Sequence, residues 1–158
     1  MSAISLDLAN RIIEAVLRRA AEINCRPISV IVVEPGCKVK AFQKEDGSSM
    51  VRFEMAFGKA YAALALGRSS KLVRIRAEER PIFMRYLMSA TDEQIFAEGG
   101  GLQIRSPDGE VIGAVGVTGD TEDRDEELAA HGIRAIGLKT DEDCADIGRR
   151  GGIRLTNT

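Results

Sequence analysis

The sequence predicts an α+β fold, an antiparallel sheet with helices packed on it. Three observations carry this. Strand signals come as two hairpin pairs, each turned by Pro and Gly. Amphipathic helical periods separate the pairs, giving the order α-β-β-α-α-β-β-α. One strand, residues 28–33, is a short β-branched run broken only by Ser29, the composition of a buried strand.

Each element has its own justification. Ser5 is placed to cap a helix over residues 6–22. Leu8, Ile12, Ile13, Val16, Leu17 and Ala20 recur there at helical spacing, while Arg11, Glu14, Arg18 and Arg19 fall mostly on the solvated side. Cys25-Arg26-Pro27 ends the helix. After the 28–33 strand, Glu34-Pro35-Gly36 turns the chain and residues 38–43 return as a more polar strand. Phe53, Ala56, Phe57, Ala60 and Leu64 then form the apolar stripe of a helix over 51–66, closed by Gly67. A helix from Ser69 or Ser70 to Glu79 and an apolar helical segment over 81–88 follow. Residues 102–105 and 110–117 flank Ser106-Pro107-Asp108-Gly109, where Pro sets φ and Gly accepts the positive φ of a tight turn. Glu122, Asp123 and Asp125 crowd the first turn of the last helix, where the macrodipole favours acids. That helix is expected to run to about Ala130 and to end at His131-Gly132.

The 158 residues suit one domain, 1–138. Residues 139–158 read as a polar C-terminal tail, mobile or docked on a neighbour, because no apolar period continues into them. Aromatic residues are 4% and Trp is absent, so the core is expected to be aliphatic. A net charge of −2 lacks the phosphate-neutralising excess that a nucleic-acid partner needs. Three widely spaced cysteines with no C-x-x-C pair fit a reduced compartment and give no support to zinc. The N-terminus lacks the basic start and apolar core of a signal peptide, and no apolar run approaches the ~20 residues of a spanning helix. The expectation is a cytoplasmic protein with no membrane partner.

The most informative stretch is 99–132. Gly99-Gly100-Gly101 leads into the second hairpin, and Thr118-Gly119 closes it before the acidic helix. Backbone N–H groups in such glycine turns can form a nest for an anion or carbonyl. The other reading is that these are tight turns the sheet needs. Gly113-Ala-Val-Gly116-Val-Thr-Gly119 has the wrong period for a dinucleotide fingerprint, and no P-loop is present.

Four stretches together resemble the GlcG/HbpS-like family, a haem-binding group that also forms the C-terminal half of PduO-type cobalamin proteins. They are Leu8-Ala9 through Ala21 with Pro27–Val33; Ala41-Phe42 with Asp46-Gly47; Lys59, Ala60 and Ala63; and Gly99–Gly101 with Gly113–Gly119 and Asp125. The resemblance runs from about Ser5 to Ile133. It implies a profilin-like or PAS-like antiparallel sheet of about five strands flanked by helices, and a homo-oligomer. It also implies a haem or corrinoid ligand, and gene neighbourhoods of glycolate, diol or cobalamin functions. The chain departs from the family pattern at Cys37 and Asp120, where glycines are usual, and at Gln103, where Pro is usual.

Candidate site residues divide between two readings each. Lys59, among Ala56, Ala60 and Ala63, matches a family position and could hold a ligand carboxylate or propionate. Its other reading is an exposed helix lysine in a salt bridge. Glu98, before the glycine run, and Asp125 could bind a polar group or act as a base; otherwise Glu98 is a loop acid and Asp125 a helix-start anion. His131, the one histidine, is the first candidate for metal, haem or acid–base work, or else a helix-end residue favoured by the dipole. Family members that bind haem through histidine place it near the first helix, where this chain has none. The ligand-binding set is therefore Lys59, Glu98, Gly99, Gly100, Gly101, Thr118, Gly119 and Asp125, with His131 as the metal candidate. The leading function is a binding protein for an anionic small molecule or tetrapyrrole. An enzyme of small organic-acid or cofactor metabolism using Lys59, Glu98 or His131 is the alternative, and a purely structural protein the third. No hydrolase triad is visible.

Overall fold

The computed structural model describes residues 3–144. The elements follow the expected order. They are α1 (Leu6–Glu22), β1 (Ser29–Val33), β2 (Val39–Lys44), α2 (Arg52–Leu66), α3 (Ser70–Glu79), α4 (Pro81–Ala90), β3 (Gly101–Arg105), β4 (Val111–Thr118) and α5 (Glu122–Ala135). Ser5 caps α1 by accepting from Leu8 N, and Thr121 caps α5 by accepting from Arg124 N.

The described strands form one antiparallel sheet in the order β2-β1-β4-β3. Four strands stand where the resemblance implied about five. Residues 91–100, before β3, are turns, bends and irregular chain, and Asp92 and Glu93 hold positive φ there, which is not strand backbone.

The sheet is covered on both faces. Val30 and Val32 of β1 join Val115 and Val117 of β4 against Ile12, Ile13 and Val16 of α1 and Leu128 and Ile133 of α5. Ile31, Val33 and Ala114 point the other way, onto Ala56 and Ala60 of α2. Every residue of β1 is buried, which is why its sequence is a continuous run and not an alternation. Ala62, Val73, Met84 and Ile95 form a smaller core joining α2, α3 and α4.

Two differences from the sequence reading lie at the C-terminal end. The last helix passes through His131-Gly132 and ends at Ala135. Gly132 is interior to it because α1 crosses there: a Cβ would stand 2.5 Å from Val16 Cγ2 and 3.1 Å from Ile12 O. Beyond Leu138, residues 139–144 are packed on the sheet. Lys139 exchanges two backbone hydrogen bonds with Arg105 at the β3 edge, 2.8 and 2.9 Å, and Cys144 is buried. Asp141 accepts from Gln103 Nε2 (3.0 Å) and Arg105 Nε (2.7 Å), all three largely inside the protein. The rest of the expected tail, 145–158, lies outside the described residues.

Candidate functional site

The site begins with how closely α2 lies on the sheet. A Cβ at Gly116 would fall 2.0 Å from Ala56 O, and one at Gly101 would fall 2.1 Å from Lys59 O. Only glycine lets a helix backbone approach strands so closely. This contact brings Lys59 under the glycine run, with its Cδ 3.1 Å from where a Gly100 Cβ would stand.

Lys59 is fully buried. Its Nζ donates to Asp125 Oδ2 at 3.0 Å and to Val117 O at 3.0 Å, and lies 5.8 Å from the centre of the Phe96 ring. The other oxygen of Asp125, Oδ1, accepts from Asp120 N at 3.0 Å. Burial pushes the Asp125 carboxyl up from the ordinary carboxylate range, while the Lys59 ammonium pulls it back. The lysine is therefore neither an exposed helix residue nor open to a ligand. Its charge bridges α2 to α5 through the end of β4.

The expected site residues gather around this pair. Val117 N donates to Gly100 O, Gly101 N to Ser70 Oγ (2.8 Å), and Ser70 Oγ to Glu98 O. Gly99 N donates to Glu122 Oε1 (2.7 Å), which also accepts from Arg74 Nε. Thr118 Oγ1 accepts from Arg52 Nη1 at 2.9 Å. Gly119, at φ +142°, stands where a Cβ would meet Pro27 O. Two of the glycine N–H groups expected to form a nest, those of Gly99 and Gly101, thus donate to the chain's own Glu122 and Ser70. Lys59, Gly99–Gly101, Thr118, Gly119 and Asp125 do come together, with Glu98 contributing its carbonyl. Protein atoms fill the place where they meet.

His131 lies elsewhere, exposed on the outer side of α5. It lines a shallow depression of about 460 Å³ with Arg19, Glu127, Ala130, Arg134 and Ala135. A larger groove of about 610 Å³ adjoins it between α3 and α5, with Leu72, Ile75 and Leu102 among its apolar lining and Asp123 and Glu126 among its acids. The two share Glu127, Ala130 and Arg134. Burial raises the Glu126 carboxyl, opposed by Lys71 and Ser69. None of the glycine-turn residues, Lys59, Glu98 or Asp125 lines either depression. Among the described residues, no group of three or more His, Cys, Asp or Glu is placed to hold a metal ion. No described helix is long and apolar enough to cross a membrane.

Sequence reasoning singled out both members of the buried pair without joining them. The signal was present. Asp125 stands at i to Leu128, Ala129, Gly132 and Ile133, so it occupies the buried stripe of α5. Lys59 is the one charge within a buried surface of Ala56, Gly58, Ala60, Ala62 and Ala63. Gln103, a departure from the family pattern, is explained by Asp141, which the sequence assigned to the tail.

Comparison with known proteins agrees with this architecture. A family model described as haem degrading protein HbpS-like matches residues 4–134. An uncharacterised 15.0 kDa protein of the dhaT-dhaS intergenic region of Citrobacter freundii is 33% identical over 130 residues, covering 82% of this chain and 89% of that one. The crystal structure of Klebsiella pneumoniae protein ORFY superposes with a TM-score of 0.74 at 26% identity, covering 84% of this chain and 90% of the other. A PduOC–haem complex superposes with a TM-score of 0.72 at 23% identity, covering 87% and 98%, and shares the fold.

Proposed function

From the premise that this chain belongs to the HbpS-like family, we propose that it is an accessory protein that binds a tetrapyrrole, with haem the leading ligand and a corrinoid the second. The observation that supports this most is the family match over residues 4–134, joined by a fold shared with a protein whose structure contains haem. A chain in this role needs a surface that accepts a flat, largely apolar ring carrying carboxylates. Haem supplies an iron centre with open axial positions.

The glycine-turn cluster does not fit that group. Gly100 has Val117 O 2.3 Å from its would-be Cβ, and the Lys59 ammonium is already paired with a buried carboxylate. Seating a propionate there would require breaking the Lys59–Asp125 bridge. In our reading Lys59, Gly99, Gly100, Gly101, Thr118, Gly119 and Asp125 are the frame that fixes α2, β4 and α5 to one another. The protein's outer surface is where the ring would be received. The depression beside His131 is open to solvent instead; an imidazole, two guanidiniums and Glu127 line it with Ala130 and Ala135.

The acid–base reading gains no support from the geometry. Lys59 is closed in and His131 is exposed, so the two share no cleft. A self-associating chain in the cytoplasm remains part of the proposal. The edge of β2, which no other described strand pairs, and the exposed Met50, Val51 and Phe53 beside it give such association a surface.

The test is a haemin titration followed at the Soret band, run beside a cobinamide titration. Saturable binding of haemin supports the proposal. Linear, unsaturated uptake of both compounds contradicts it.

A further inference from the structure

We propose that the groove between α3 and α5 is the docking site of the chain's own residues 145–158, received through arginines on carboxylates and aliphatic side chains on the apolar lining. The docking does not depend on tetrapyrrole binding.

The groove, about 610 Å³, combines two kinds of surface. Leu72, Ile75, Leu102 and Ala130 make its apolar part, with Leu72 and Ile75 half-buried. Asp123, Glu126, Glu127, Asp141 and Glu142 also line it, five acids against the two cations Lys71 and Arg134. Both cations are engaged: Lys71 Nζ meets Asp123 at 2.9 Å and Arg134 meets Asp143 at 3.1 Å. Glu126 has the longest contact to a cation of the five acids. Its side chain is 25% exposed, and the Lys71 ammonium stands 3.8 Å away, beyond hydrogen-bond reach. A further cation beside it would favour its charged form.

The sequence supplies an occupant of complementary chemistry. Residues 145–158 carry Arg149, Arg150 and Arg154 against one acid, Asp146, and add Ile147, Ile153 and Leu155. A guanidinium binds a carboxylate by two parallel N–H bonds. The position also suits. The described chain ends at Cys144, two residues after Glu142 on the groove wall. Cys144 is buried, and its N–H donates to Asp141 O at 3.0 Å, so the point from which the segment departs is fixed beside the groove. Fourteen residues reach on the order of 45 Å. The wall formed by α3 is ten residues, about 15 Å long. Tethering gives an effective concentration on the order of millimolar, so individually weak pairs suffice. Thr140, Asp141 and Glu142 of the wall and the segment itself all belong to the part of the chain beyond residues 4–134, the stretch that the family model matches.

Trypsin cuts after arginine, so Arg149, Arg150 and Arg154 report on the segment directly. Cleavage there tracks the population of the undocked form. The full chain is compared with a synthetic peptide of residues 145–158, which gives the undocked rate. At about 20 mM salt the full chain should be cut about tenfold or more slowly than the peptide, and at about 0.5 M salt the two rates should converge. The variant Asp123→Asn/Glu126→Gln/Glu142→Gln, its fold checked by circular dichroism, should lose the protection at low salt; the salt comparison needs no variant. A second measurement locates the segment. Photo-reactive p-benzoylphenylalanine in place of Leu72, in a mixture of isotopically light and heavy full chains, should cross-link to residues 145–158 of the same chain. Equal rates for the full chain and the peptide at low salt overturn the docking. Cross-links from one chain to 145–158 of another overturn it in favour of a second copy as the source. Protection with cross-links that never reach 145–158 overturns the groove as its place.

Discussion

Replacing Lys59 by Met should destabilise the fold far more than it changes its surface. The substitution keeps the length of the side chain and removes the ammonium that meets Asp125 Oδ2 and Val117 O, each at 3.0 Å. Asp125 is then left 1% exposed, with one remaining bond, from Asp120 N. Removing one member of a buried ion pair typically costs about 3–5 kcal/mol, because the partner's charge stays behind in a dry site. A domain has only about 5–15 kcal/mol in total. At this chain length each kcal/mol is worth about 2–4 °C in melting temperature, so the fall should be about 6–20 °C. Urea unfolding of wild type and variant, at one protein concentration, gives the difference directly. The double variant Lys59→Met/Asp125→Leu should recover most of the loss, since it removes both charges together. If the single variant loses less than about 1 kcal/mol, the pair is solvated. The account of Lys59 as an interior bridge then fails.

Other outcomes follow from the same structure. Gly116→Ala should cost about 1–3 kcal/mol or more in urea unfolding, because the new methyl meets the Ala56 carbonyl and α2 has to lift from β4; an unchanged midpoint would contradict the close approach. Cys37 should alkylate slowly with iodoacetamide at pH 8 and faster as the pH climbs, since burial pushes its thiol up to about 11; rapid labelling at pH 7 would count against the placement. Asp143 lies below the ordinary carboxylate value of 3.8: burial works upward, and bonds from Arg134 and Thr140 outweigh it. A depressed acid contributes stability in full above its unfolded value and loses it as the pH falls through the folded one. The acid limb of the stability curve should therefore flatten in Asp143→Asn below about pH 4, and an unaltered limb would mean that the bonds Asp143 accepts from Arg134 and Thr140 add nothing to stability.

Most of the fold was legible because its signals are local. The period of α1, the β-branched run of β1 and the Ser106–Gly109 turn each depend on neighbours within a few residues. The strand count was not, since it rested on likeness to a family and not on a run of residues. The length of α5 was missed for a tertiary reason. Gly132 looks like a helix end in sequence, and only the crossing of α1 over it explains a glycine inside the helix. The same holds for residues 139–144. Their polarity suggested a tail, yet Asp141 is polar because it meets Gln103 and Arg105 across more than thirty residues of chain. At the candidate site the sequence named the residues that converge and not what they converge on. Small residues around Lys59 suggested a space for a ligand. In the folded chain Ala56 and Ala60 pack against Ile31, Val33 and Ala114, and Gly101 and Gly116 bring the strands onto the α2 backbone.

The central claim is that the glycine-turn cluster is frame and that a tetrapyrrole is received outside it. A crystal structure of the full chain with haemin tests this most directly. The account predicts the ring on the protein's outer surface, with the Lys59–Asp125 bond still closed. A ring seated against Gly99–Gly101 and Thr118, with Lys59 turned onto a propionate and Asp125 released, would contradict it.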